Sequence, residues 1–204
     1  MSEAMLLALA TFCFVSSITP GPNNMMLLAS GANFGFRRTL PHLMGVSLGF
    51  GAMVLAVGLG IGGLFVVYPA LYTVLKIVGG AYMLWLAWRI ATADGIGDGG
   101  GTARPMSFWE AVAFQWVNPK AWAISLGAIT AFVAPGEFLA GVLIVTVVFA
   151  SINLPCIASW AAFGVLLRRF LDRPWTLRAF NITMAVLLVA SLYPMAADFK
   201  LGAA

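Results

Sequence analysis

Two short polar clusters interrupt a chain that is otherwise strongly apolar. The first is Thr19-Pro20-Gly21-Pro22-Asn23-Asn24, and the second runs from Gln115 to Asn118-Pro119-Lys120. Each sets proline, which has no amide hydrogen, among side chains that donate and accept hydrogen bonds. Pro20 and Pro22 clash with the carbonyls of Ser16 and Ile18, and Pro119 clashes with that of Gln115, while Gly21 frees the backbone to turn between its two prolines. A helix broken in this way exposes an amide end that attracts a carboxylate and a carbonyl end that attracts an ammonium group. Two such breaks face to face can hold both ends of a free amino acid, with Asn23, Asn24, Gln115 and Asn118 adding donors and acceptors at the same depth. Asn153-Leu154-Pro155 is a third candidate, either another break or an ordinary kink.

Lys120 is the sharpest single residue. An ammonium at the centre of a bilayer costs about 2.5–3.5 kcal/mol on insertion scales, so it needs an internal partner or water. The acidic residues Glu3, Asp94, Asp98, Glu110, Glu137, Asp172 and Asp198 all fall at the ends of apolar runs or in loops. No carboxylate is therefore expected at its depth. Two roles are open: Lys120 meets the carboxylate of a substrate, or it releases and regains a proton during turnover.

The elements that must position these residues follow from composition. Of 204 residues, 62% are hydrophobic and 9% charged, against roughly 25% charged in a soluble domain, so the solvent for most of the surface is lipid. Six apolar runs, at 4–33, 41–67, 70–92, 108–133, 137–167 and 178–197, each meet the roughly 20 residues that a membrane helix needs. The expected fold is an all-α polytopic membrane protein of six transmembrane helices. The first run is read as a permanent span because no basic segment precedes it. The first two clusters lie near the middles of the first and fourth runs, so these are the broken helices. The first, second and fifth runs are overlong, and tilt or a break is expected in them.

A hydrophilic stretch divides the chain into a first unit, 1–92, a flexible cytoplasmic linker, 93–107, and a second unit, 108–204. Each unit has an odd number of spans, so the second is expected upside down relative to the first, a 3+3 inverted repeat of the kind found in secondary transporters. With the N-terminus outside, Arg37, Arg38, Arg89, Arg104, Arg168, Arg169, Arg173 and Arg178 all face the cytoplasm and only Lys76 and Lys200 face out. The positive-inside bias therefore places both termini on the periplasmic or exterior side.

The net charge of +4 is explained by arginines at the membrane surface meeting anionic lipid headgroups, and nucleic-acid binding is rejected because no basic stripe is interleaved with exposed aromatics. Gly45xxxGly49 and Gly58xxxGly62 suit close helix packing, within the bundle or in a homodimer. No cofactor or metal is expected, since the single histidine, His42, has no evident ligand partners. Cys13 and Cys156 lie inside apolar runs and are read as buried hydrophobes. The alternative is a transmembrane thiol–disulfide relay that uses both.

The motifs Thr19-Pro20-Gly21-Pro22-Asn23-Asn24, Gly35-Phe36-Arg37, Gly45-Val46-Ser47-Leu48-Gly49, Tyr82 to Trp88, Gln115 to Lys120, and Trp160 to Gly164 before Arg168-Arg169 together resemble the LysE/RhtB family of amino-acid exporters. The pattern looks most like the branch that exports cysteine and O-acetylserine. The resemblance implies efflux from the bacterial cytoplasm across the inner membrane, driven by antiport of protons, with Thr19 to Pro22 and Asn118 to Lys120 framing the pathway. The expected partners are an amino-acid substrate, protons and membrane lipids. Neutral substrates such as cysteine, O-acetylserine, homoserine or threonine are favoured, because the extra charge of lysine or arginine would want a carboxylate at mid-depth.

Overall fold

The computed structural model describes residues 1–93, 104–134, 136, 138–171 and 173–193, and among these there is no strand. Nine helices follow in order among the described residues: α1 (Glu3–Ile18), α2 (Pro22–Phe34), α3 (Phe36–Gly58), α4 (Leu64–Val67), α5 (Ala70–Ala91), α6 (Phe108–Val117), α7 (Pro119–Phe132), α8 (Phe138–Arg168) and α9 (Pro174–Ala190). A 3-10 turn, Ile61–Gly63, precedes α4. The expected linker is outside the described residues at 94–103, as are Glu137, Asp172, Lys200 and the end of the sixth run.

Both expected interruptions are present. The first run is split into α1 and α2, bent by 54°, and the fourth into α6 and α7 at Asn118. The second run differs from expectation: its helix starts at Phe36 and ends at Gly58, where Gly60 adopts a positive φ of 109°. Pro41 lies inside α3, where it withholds a hydrogen bond from the Arg37 carbonyl, yet the helix runs through it, so it does not mark the helix start. Conversely, α8 is one helix of 31 residues with Pro155 inside it, so Asn153-Leu154-Pro155 is not a break. By length and composition α3, α5 and α8 can each cross a membrane, and the bent α1–α2 pair passes as a fourth; α9, at 17 residues, is shorter.

The packing is that of helices drawn together by small residues. A Cβ on Gly31 of α2 would collide with the Ala161 carbonyl of α8, and one on Gly164 of α8 with the Leu28 carbonyl of α2. Gly45 and Gly49 of α3 lie against Phe108, Ala111 and Val112 of α6, so this motif is used inside the bundle. In lipid, where apolar side chains gain little by meeting one another, close backbone approach supplies the association energy. Outward-facing residues are large and apolar, among them Leu7, Val66, Val74, Ile77, Trp109 and Val147, as a lipid-facing surface requires.

Candidate functional site

The break between α1 and α2 frees a run of carbonyls, and side chains satisfy them. Thr19 Oγ1 donates to Ser16 O (3.1 Å), Asn24 Nδ2 to both Ser17 O and Thr19 O (2.8 Å each), and Trp160 Nε1, from α8, to Ile18 O (3.1 Å). Lys120 Nζ, from α7, donates to Thr19 O (3.1 Å), Thr19 Oγ1 (3.1 Å) and Pro20 O (3.0 Å). With Val15 O taken by the Thr19 amide and Gly21 O by the Met25 amide, every carbonyl from Val15 to Gly21 has a donor. An unpaired backbone group in hydrocarbon costs several kcal/mol, so this set of donors is what makes the broken helix tenable.

Lys120 thus has its internal partner, and it is a helix terminus. The carbonyl end of α1 carries partial negative charge, and the ammonium sits on it with no carboxylate nearby among the described residues. Gly21 has a further role there. Its backbone is extended, φ −179°, a conformation open to any residue, so turning freedom is not why glycine is present. A Cβ there would stand 2.8 Å from both Cδ and Nζ of Lys120; glycine leaves the space the lysine occupies.

The amide end of α2 is open. Its N-cap is Gly21, no side chain caps it, and the amides of Asn23 and Asn24 find no acceptor among the described residues. The equivalent end of α7 is closed by its own Asn118, whose Oδ1 accepts from the Lys120 amide at 3.1 Å. At that second break Trp122 Nε1 donates to Trp116 O at 2.9 Å, and the two rings pack 6.0 Å apart, so Trp122 both packs and caps. The two breaks are tied by a reciprocal amide pair, Asn23 Nδ2 to Gln115 Oε1 (2.8 Å) and Gln115 Nε2 to Asn23 Oδ1 (3.2 Å).

These groups surround a cavity of about 40 Å³ lined by Ser17, Gly21, Asn23, Asn24, Lys120 and Asn153, among others. Asn153 Nδ2 donates to Ser17 Oγ at 3.1 Å, while its Oδ1 is buried without a donor. Asn153 is therefore brought to the site although α8 is unbroken. Ser17 and Trp160 were missed by sequence reasoning. The signal for Ser17 was its place one turn before the prolines, and for Trp160 an indole donor inside an apolar run. Cys13 and Cys156 are free and buried, Cys13 among Leu9, Phe50 and Phe149.

A model of the LysE type translocator family matches residues 14–191. The chain belongs to the LysE family. The cysteine/O-acetylserine efflux proteins of Escherichia coli (strain K12) and Shigella sonnei (strain Ss046) are each 39% identical to this LysE-family chain over 191 residues, covering 93% of it and 96% of the relative. No solved structure matches it. The matched region holds both helix breaks and Asn153. The family, the helices long and apolar enough to cross a bilayer and the lipid-like surface make this a membrane protein of the translocator class.

Proposed function

We propose that this LysE-family protein exports small neutral amino acids or close derivatives from the bacterial cytoplasm, with cysteine, O-acetylserine, homoserine and threonine as the favoured candidates. The carrying observation is the open amide end of α2 beside Lys120, facing the donor-less Asn153 Oδ1 across one cavity. A carboxylate fits the Asn23 and Asn24 amides, helped by the helix dipole and by Lys120. An α-ammonium fits Asn153 Oδ1, which lacks any other donor. The 39% identity to proteins named cysteine/O-acetylserine efflux proteins supports the substrate class.

The cavity of about 40 Å³ has room for about three waters and none for an amino acid. Binding therefore widens it, as expected of a site that alternates between two openings. In this reading the chain crosses six times as a 3+3 inverted repeat, with α1–α2 and α6–α7 as its broken spans, the arginine-rich end cytoplasmic and the termini periplasmic. Coupling is by proton antiport.

Liposomes reconstituted with the purified protein and loaded with a panel of amino acids test the proposal. Efflux of the neutral candidates, accelerated by an imposed pH gradient, is the expected result. Efflux that ignores the gradient removes the antiport, and no efflux of any panel member removes the exporter.

A further inference from the structure

A second cavity, of about 290 Å³, opens at the arginine-rich end of the bundle between the C-terminal half of α2, the start of α3, the end of α5 and residues 104–106. Among its lining residues are Ser30, Asn33, His42, Leu86, Arg89 and Arg104. His42 is 2% exposed, and neither ring nitrogen has a hydrogen-bond partner among the described residues. An imidazole has at least one donor, and when neutral one acceptor as well; leaving both unpaired in a buried site costs about 1–3 kcal/mol each, unless something that enters the cavity pairs with them. Most of the other polar groups here are already engaged. Arg104 is held by Glu110 through two hydrogen bonds of 2.7 Å, Ser30 pairs with Thr39, and Asn33 exchanges hydrogen bonds with Asn181. Arg89 stacks on Trp85 at 5.0 Å and makes no ion pair among the described residues.

A cation with no carboxylate beside it and an imidazole with no partner among the described residues, together with an apolar wall of Met26, Leu86 and Ile90, define a ligand with a single carboxylate, a further polar group and a small body. The cavity has several times the volume of the central one. The two share α2 as a wall: Asn24 lines the central cavity and Asn33 this one, about 13.5 Å further along at 1.5 Å per residue.

We propose that this cavity is a second, outlying binding site for a free amino acid, in which Arg89 takes the carboxylate and His42 a polar group of the same molecule, and that the amino acid waits there until the central site widens. The proposal rests on the export reading for its ligand. An anionic lipid headgroup shares the arginine-seeking chemistry, but it has no group that must reach a histidine buried behind α2.

The test uses the full chain in phosphatidylcholine nanodiscs and radiolabelled O-acetyl-L-serine in equilibrium binding, with efflux measured in parallel in liposomes. The wild-type protein is expected to show two classes of site. Lys120→Ala removes one, while Arg89→Gln and His42→Gln each remove the other and leave the Lys120-dependent class, which also certifies that those variants fold. Arg89→Gln is further expected to raise KM about tenfold, the loss of about 1.4 kcal/mol, for substrate offered at the arginine-bearing face, and not at the opposite face. A single class lost in Lys120→Ala and intact in both other variants overturns the inference while the exporter stands. Loss of the second class on adding phosphatidylglycerol assigns the cavity to lipid and overturns it as well. A wild-type protein that exports none of the panel overturns the export reading first, and this inference with it.

Discussion

At the scale of single residues, the site is a set of side-chain donors matched one by one to carbonyls that two prolines set free. Lys120 is the charged member, and it also lines the cavity. Its replacement by alanine removes a charge-assisted contact of about 1.5–3 kcal/mol, so efflux is expected to fall roughly tenfold or more in the liposome assay. Gly21→Ala is expected to reproduce much of that loss with Lys120 still present, since the new Cβ takes the space of Cδ and Nζ; unchanged efflux in Gly21→Ala would show that the lysine's position is immaterial. Trp160→Phe acts on the Ile18 carbonyl, away from the ammonium, and Asn24→Ala on the Ser17 carbonyl and on that of Thr19, which keeps Lys120 as a donor. Each leaves one carbonyl of the break, Ser17 O or Ile18 O, without its donor, at about 1–3 kcal/mol, and is expected to lower the midpoint of thermal unfolding in detergent. For Trp160→Phe, stability is expected to fall more than transport.

At the scale of elements, helix ends do the work usually given to side chains. The carbonyl end of α1 supplies the counter-charge for a lysine, and the amide end of α2, left uncapped, is the proposed anion site, because the chain breaks between them. The second break is used differently, since Asn118 closes α7 and Trp122 caps a carbonyl of α6. What holds α2 in place is its contact with α8, where Gly31 and Gly164 each lie against a backbone carbonyl of the other helix. Gly164→Leu pushes these helices apart and is expected to cost about 1–3 kcal/mol and to reduce efflux, with a lowered unfolding midpoint as the check. The same substitution at Gly63, near which a Cβ meets nothing, is the control and is expected to leave both unchanged.

At the scale of the molecule, the bundle keeps a small cavity at the helix breaks and a larger one at the arginine-rich end, with α2 running between them. The cysteines take no part in this plan: Cys13 lies in an apolar cluster of α1, α3, α7 and α8 residues, and both thiols are buried. A Cys13→Ala, Cys156→Ala double variant is therefore expected to export at close to the wild-type rate. Loss of activity that returns only when both cysteines are restored would instead revive the thiol–disulfide relay.

Much of this was legible in the chain itself. Apolar run length, paired prolines amid amides, and a lysine far from any carboxylate follow from local chemistry, and they marked α1–α2, α6–α7 and Lys120. Only the tertiary structure decided what those groups meet. That Lys120 reaches Thr19 and Pro20 across about a hundred residues, that Trp160 answers Ile18, that Gly21 is a space for a side chain and not a hinge, and that Pro155 leaves α8 whole all depend on which helices lie side by side. So does the solitude of His42, for a histidine in an apolar run looks the same in sequence whether or not a partner waits across the bundle. Helix formation in lipid is driven by each segment's own composition and backbone, whereas a hydrogen bond between helices is set by the close approach of glycine faces far apart in the chain.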